Sequence, residues 1–595
     1  MNQKTLVSTA IEETWTMNNS TVFLGEWCKI FNRKDIWGKI NHEVIGYHWN
    51  KSEKLIKDIE YIERLIEELT NDLSKSLNFI HNKNYSNQYW KILCGHWLSL
   101  FCHSLFDRWE TVESALSKKD NYLTNIINID HSEMVPENIE SFVLMCHQDK
   151  WNHYIFSEIL SSDFFKEKLT FKNIYKIKND TFSKNPYHPL SPIKKMILNL
   201  LKFLNPITSL IRKKQKYLIC ESYLGKKNEI LLNLSLGLLP LTVTPRYQFD
   251  SIYDENIRNR IHLSFKPKNN FEKFLIDNLI KHVPLAFIEN YKNVLNYVEN
   301  INWPQNPKVI FTSHFIDNKT IGSLYTAEKK EKGAKLIHGQ HGGAYGQNLF
   351  HWYESFERSI SDKYLTWGWK DYEDKKIVPL GILKTLNEIK KIKYKNNNKI
   401  IMIIRPKERY SSTALDTRSR GPQLKKYHED CLKIGSLIKN TTISKNLIVR
   451  LHERKYGWCE EQLWNTQFPD IEIDKGHSPV IQTLQKAKII IYTYNATGYL
   501  ELMASNFPVL LQWNVNENIN RESCNKFFKE LEDVKIFHKT PESLTNHLIS
   551  INNNVEEWWK STNTQLAVKN FCNNFAKIES NKIKKIRDLI KNYDN

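Results

Sequence analysis

Cysteine is sparse and scattered, nine thiols in 595 residues, and no two form a Cys-x-x-Cys pair. An odd count without that spacing excludes a disulfide framework and the common zinc sites, and predicts reduced, mostly buried thiols. No uncharged apolar run reaches the eighteen or so residues of a membrane span. The first thirty residues lack the charged-then-apolar pattern of a secretory signal, so a cytoplasmic location is expected. Zinc-finger, RRM-like and phosphate-loop patterns are missing, which argues against nucleic acid as the partner. No Asp-x-Asp pair is present to hold Mg²⁺ or Mn²⁺ on a diphosphate. Glycine is short too, 19 residues in all, about half the usual share.

Four of those glycines fall within the nine residues His338 to Gly346, together with His341 and Gln340. An apolar run, Leu336 and Ile337, enters the stretch. Glycine lets backbone approach a ligand closely, and imidazole suits proton transfer near neutral pH. A strand ending in such a loop is how open α/β sheets build sites at their carboxyl edges. Gln340, Gly342, Gly343 and Tyr345 are therefore expected to line a cleft.

What is plentiful sets the class. Hydrophobic residues make up 41% and aromatics 12% of the chain, enough for two or three cores at this length. The formal charge is +19. It concentrates between Lys166 and Lys216, where thirteen Lys or Arg face Glu167 and Asp180 alone. An anionic substrate or membrane surface explains such a balance, as does a plain bias toward Lys, Asn and Ile. Ile193, Met196, Ile197, Leu200, Leu204, Ile207 and Ile211 share a helical face flanked by lysines. That face is expected either in a core or in peripheral contact with an anionic membrane. The tail Ile583 to Ile590 is a second candidate for that contact.

Short apolar runs at 5–9 and 21–25 read as strands, each followed by acids: Glu12 and Glu13, then Glu26. From 35 to 214 the spacing is helical. Strand-like runs return at 216–220, 308–312, 335–338 and 363–366, separated by amphipathic helices. A second series begins after a Lys- and Asn-rich linker, at 399–404, 446–450, 471–473, 487–492 and 508–512. The expectation is an α/β fold of two Rossmann-like domains facing across a cleft, the GT-B arrangement. Residues 1–34 and 215–385 would form the N-terminal, acceptor domain, interrupted by a helical insertion over 35–214. Residues 396–560 would form the C-terminal, donor domain, and 561–595 a helical tail.

Three strand ends of the second series carry cations and hydroxyls. Ile404 leads into Arg405 and Arg409, Val449 into Arg450 and His452, and Tyr492 into Thr493, Asn495 and Thr497 at a helix start. Guanidinium forks and free helix N–H groups suit phosphate oxygens. Glu501, one turn into the helix, is placed to accept from sugar hydroxyls. Together these ends describe a nucleotide-phosphate site.

Gly25 to Cys28, Tyr47 to Trp49, Tyr89 to Leu93 with Gly95 and Trp97, Asp107 with Arg108, the His338–Gly346 loop, Thr366 to Trp369 and Tyr492 to Thr497 run nearly end to end. In these the chain resembles the transferase family encoded in bacterial O-antigen and other surface-polysaccharide gene clusters. The loop, Asp362, Trp367 with Gly368, and Pro379 to Gly381 are also similar to GT-B enzymes of capsule and teichoic acid synthesis. The resemblance implies transfer of a sugar from a nucleotide sugar to a glycan or lipid-linked glycan acceptor, with no cofactor. His341, His338, Glu12, Glu13 and Glu26 are all open as the base. A CMP-linked nonulosonic acid is one donor that suits the cations, and transfer of a polyol phosphate is the alternative reaction. With no Asp-x-Asp pair, metal-independent activity is expected.

Overall fold

The computed structural model describes residues 3–16, 20–118, 120–174, 205–240, 247–248, 252–392, 394, 397–416 and 420–593. Three parallel sheets organise them, one more than expected. The first contains β1 (Lys4–Val7), β2 (Thr21–Phe23), β3 (His42–Val44), β4 (Tyr122–Ile127) and β5 (Leu169–Ile174), ordered β3-β2-β1-β4-β5. Both edges of β1 are filled within this sheet, Thr5 opposite Thr21 of β2 and Leu6 opposite Thr124 of β4. The expected N-terminal domain is corrected accordingly. Residues 1–34 do not join the strands after 215, because the stretch read as purely helical supplies β3, β4 and β5 as their partners.

Two thirty-residue helices do dominate that stretch, α1 (Ser52–His81) and α2 (Asn87–Leu116). α1 buries Leu55, Ile59, Ile62, Leu65, Leu69, Leu73 and Leu77, the three-and-four spacing of one apolar stripe. α2 begins where Ser86 Oγ accepts from the Tyr89 N–H at 3.2 Å. It is buried nearly all round, because α1 covers one side and α3 (Thr320–Glu331) of the next unit covers another. One continuous core therefore joins the first sheet to the second.

The second sheet runs β10-β9-β8-β7-β6, from β6 (Tyr217–Ile219), β7 (Val309–Thr312), β8 (Lys335–Gly339), β9 (Lys363–Thr366) and β10 (Ile377–Pro379). The helix α4 (Trp352–Ile360) follows the glycine-rich loop. The third sheet is β13-β12-β11-β14-β15-β16, from β11 (Lys399–Ile403), β12 (Leu447–Arg450), β13 (Glu472–Asp474), β14 (Ala487–Tyr492), β15 (Val509–Gln512) and β16 (Phe537–His538). Its strand order reverses between β11 and β14, where open parallel sheets form their ligand crevice. The helix α5 (Leu424–Lys439) links β11 to β12, and α6 (Thr497–Ala504) leaves the end of β14.

The tail is no free appendage. α7 (Thr562–Phe575) buries Ala567, Val568 and Phe571 in the third sheet's core. α8 (Lys582–Lys591) then crosses back to the second sheet, burying Ile586 and Ile590 there. The expected membrane face of 583–590 is thus covered by protein. The other expected membrane face lies, through residue 204, outside the described residues. Among the described residues no helix is long and apolar enough to cross a membrane. All nine cysteines are free, and seven are buried.

Candidate functional site

The carboxyl edge of the second sheet gathers imidazoles and carboxyls from three successive elements. His314 and Asp317 follow β7, His338 lies one residue before the end of β8, His341 and Tyr345 follow it, and Glu357 projects from α4. Asp317 lies 3.6 Å from His314 Nδ1 and 3.5 Å from His341 Nε2. Glu357 lies 3.5 Å from the Nδ1 atoms of both His338 and His341. Tyr345 and Tyr364 donate their hydroxyls to Glu357 at 3.2 and 2.7 Å. The His314 and His341 rings lie 4.0 Å apart.

Backbone strain collects here as well. Glu221, Tyr223, Asn318 and Ala344 are four of the eight non-glycine residues at positive φ among those described. All four follow strands of this edge, and such strain persists where a site over-determines its backbone.

Burial sets the protonation of the cluster. It depresses His338 to about 3 and holds His341 well below the ordinary imidazole value, with His314 nearby adding to the effect. Burial also raises Asp317, and it raises Glu357 strongly, with the Asp317 charge as the next cause. Burial therefore favours the neutral form of His338 and His341 and makes Asp317 and Glu357 weaker acids than in water. The side chain of His314 is 37% exposed and that of His341 10%, whereas His338 is sealed. His338 cannot touch a substrate, which corrects its expected role as a base.

His314, Asp317 and His341 each offer a ligand atom within 4.8 Å of the others, as do Asp317, His338 and Glu357. Two imidazoles on one ion at about 2.0–2.1 Å would separate their ring centres by roughly 5 Å in a tetrahedral site. The His314 and His341 rings are closer than that, 4.0 Å apart and tilted by 46°. The geometry suits proton transfer better than ligation.

The loop is pinned from both sides. Gln340 Oε1 accepts from Trp367 N and Trp369 Nε1, both at 2.9 Å, and its amide donates to Gly342 O at 2.8 Å. The Gly346 N–H donates to Glu354 at 2.7 Å. The tip then meets the third unit, where the Gly343 N–H donates to Thr497 Oγ1 at 2.8 Å. A Cβ on Gly343 would lie 2.5 Å from the Ala496 carbonyl and 2.6 Å from Thr497 N. Gly343→Ala must therefore push the loop off the start of α6. Displacements near 1 Å can lower rates about a hundredfold. Turnover should fall tenfold or more in this variant, with circular dichroism and melting temperature unchanged.

Across from the loop, the carboxyl edge of the third sheet presents a cationic hollow. Arg405, His452, Arg454, Lys455 and Lys475 line it together with Glu460 and Glu461, and Glu461 pairs with the two lysines at 3.0 and 2.7 Å. A smaller hollow with Thr493, Tyr494, Trp513 and Asn514 meets it at Arg405, beside the strand-order reversal. Arg405 is held by Asp416 at 3.1 Å, and its N–H donates to Tyr427 Oη at 2.7 Å.

The sequence matches the profile of the LIC12162 family transferase over residues 4–590. The chain belongs to that family. No curated protein sequence matches it. Among solved structures it is similar to the wall teichoic acid polymerase TagF, at 14% identity over 51% of this chain and 84% of that one, with a TM-score of 0.28. MurG of Acinetobacter baumannii matches at 13% identity over 51% and 78%, TM-score 0.30. The S. aureus MnaA–UDP structure matches at 13% over 54% and 85%, TM-score 0.33.

Within this family member the expected donor residues divide into two groups. Arg405 and His452 line the hollow, and Thr493 borders the smaller one while bonding Tyr427 and the Ile403 carbonyl. Arg450 instead pairs with Asp474 and donates to Thr483 Oγ1 at 2.7 Å and to the Ser478 carbonyl at 2.6 Å. Arg409 reaches into the first unit, pairing with Asp149 and donating to the Trp27 carbonyl at 2.6 Å. Neither lines either hollow, and both are held by protein partners, which corrects their expected place on a phosphate. Asn495 donates to Gln347 at 3.0 Å, and Thr497 holds the Gly343 loop. Glu501 pairs with Lys384 at 2.9 Å, joining the second and third units.

The acids expected as alternative bases follow strands of the first sheet, while the histidines follow the second. Glu12 pairs with Arg33, and Glu26 with Lys425 of α5 at 2.9 Å. Glu13 sits beside Glu12 in the same short turn. Sequence reasoning missed His314, Asp317 and Glu357. For His314 a signal existed, since Ser313 and His314 directly follow an apolar run already read as a strand.

Proposed function

We propose that this transferase is a GT-B-like glycosyltransferase, moving a sugar from a nucleotide-activated donor to a hydroxyl of a surface-glycan intermediate. One observation carries the reading: an imidazole–carboxyl cluster and a cationic hollow occupy the facing carboxyl edges of two parallel sheets, joined at Gly343 and Thr497. The donor's phosphate sits against Arg405, His452 and Arg454. The two guanidinium charges stabilise the leaving phosphate as the bond from the anomeric carbon to its oxygen breaks, and His452, which burial keeps toward its neutral form, donates a hydrogen bond from Nε2.

His314 is the base. Its Nδ1 faces Asp317, which fixes the tautomer and leaves Nε2 to take the acceptor hydroxyl proton as that oxygen bonds the anomeric carbon. His341 and Glu357 position this pair and complete the buried cluster. A CMP-linked acidic sugar is among the donors the hollow suits, since a carboxylate would meet the same cations. A lipid-linked acceptor would bring the protein to the inner face of a membrane without a spanning helix.

The test is mass spectrometry of products from a panel of nucleotide sugars incubated with glycan acceptors. Gain of one glycosyl unit with release of free nucleotide supports the reading. Gain of a polyol phosphate overturns it in favour of the alternative transferase chemistry. Turnover should survive EDTA, because protein cations carry the phosphate charge. Loss with EDTA and recovery with Mn²⁺ would contradict that assignment.

A further inference from the structure

Behind the histidine cluster, a second cavity of about 310 Å³ lies between α1, α2 and α4. Trp352 and Phe356 of α4 give it an aromatic wall, and Asn87, Lys91, Glu67 and Ser355 give it polar rims. His96 of α2 forms part of its lining, stacked on Trp352 at 4.6 Å and on Phe356 at 4.2 Å. His96 is buried, and neither ring nitrogen has a hydrogen-bond partner. Buried polar groups are nearly always satisfied, and nothing in the cleft chemistry above uses this one.

The lining selects a class of occupant. A pyranose ring offers an apolar C–H face for stacking and a rim of hydroxyls that need both donors and acceptors. Aromatic faces beside ammonium, amide and carboxylate groups supply both. An acyl chain would leave those polar groups unpaired, and a phosphate would find Arg64 and Lys91 offset by Glu63 and Glu67, with no net positive charge to hold it. The volume is at the small end of ligand pockets, suited to one or two rings. Tyr353 separates the cavity from the cleft, its ring 5.7 Å from His96 and 5.3 Å from His341.

We infer that this cavity is an acceptor subsite, binding a pyranose of the glycan next to the unit that receives the new sugar. The inference rests on the glycosyltransferase reading for its role, although binding itself is measured without turnover. α4 then serves both sites, presenting Glu357 to the cluster and Trp352 with Phe356 to the acceptor.

Saturation-transfer NMR tests it, using methyl glycosides of glucose, galactose, mannose, rhamnose and N-acetylglucosamine at millimolar concentration with the full chain. At least one probe should receive saturation, falling fivefold or more in Trp352→Ala and in Lys91→Ala but unchanged in Arg405→Ala. Lys91 is only half-buried, so its variant decides the matter if Trp352→Ala fails to fold. No transfer to any probe, or transfer unchanged in Lys91→Ala, overturns the subsite. Saccharide binding that maps to Lys91 in a protein that binds no nucleotide would sustain the cavity while removing the donor reading.

Discussion

His314→Ala should lower turnover about 100- to 10,000-fold, the usual contribution of a positioned base, with the fold and nucleotide binding retained. The size follows from the geometry. His314 is the one imidazole of the cluster with more than a third of its side chain exposed, so it alone can meet an acceptor hydroxyl without rearrangement. Its Nδ1 is directed at Asp317, as in the Asp–His pairs that fix a catalytic tautomer. Asp317→Asn should accordingly lose activity on a similar scale while leaving the ring in place. His341→Ala should lose less, since this ring acts through His314 and the two carboxyls. Initial rates at saturating donor, with a thermal melt for each variant, check all three. Equal activity of His314→Ala and the parent protein would remove His314 from the reaction.

The second large effect is on stability in mild acid. Burial holds His96 at about 3 and His153 and His428 at about 4, against 6.5 unfolded. Neither nitrogen of His96 or His428 has a partner for a proton, and His153 Nε2 accepts the Ile127 N–H at 3.1 Å. Between pH 6.5 and 4 the unfolded chain binds these protons and the folded chain does not, so stability falls as pH falls. At pH 5 each imidazole accounts for about 2 kcal/mol, or about 6 kcal/mol for the three. Within the cleft cluster, Asp317 and Glu357 are shifted up while His338 and His341 are shifted down, so those four oppose one another. Glu140 and Glu158, raised by burial, offset part of the remainder, since they favour the fold below their raised values.

Domains have only about 5–15 kcal/mol in hand, so the loss is substantial. The melting temperature should drop by about 5 °C between pH 7 and pH 5. His428→Phe, which keeps a ring in the site, should flatten the slope. A melting temperature constant over that range would mean these imidazoles are charged in the folded protein.

Local patterns made part of this legible. The His338–Gly346 loop was readable because scarce glycines cluster at the end of an apolar strand, and the fold sets His341 beside Asp317 and Glu357. His314 carried only the weak signal of following β7, and Asp317 and Glu357 carried none, since the three reach one point from β7 and α4 and nothing local encodes that meeting. The strands at Lys4–Val7 and Thr21–Phe23 were visible as strands. Their sheet was not, because β4 lies more than a hundred residues away and follows two long helices. Arg450 read as a phosphate ligand because its partner was hidden: β12 and β13 pair with Arg450 opposite Asp474. Burial between parallel strands converts an apparently free cation into an internal ion pair.

The most direct measurement is a thermal-shift screen of the purified protein against CMP, UDP, GDP, TDP and their sugars, repeated with Arg405→Ala. A ligand at a hundred times its Kd adds about 2.7 kcal/mol to the folded state. The account predicts a clear upward shift with one nucleotide and its sugars, lost in Arg405→Ala and retained in His314→Ala. No shift with any nucleotide at millimolar concentration, or a shift that Arg405→Ala leaves intact, would contradict a donor site on the third sheet.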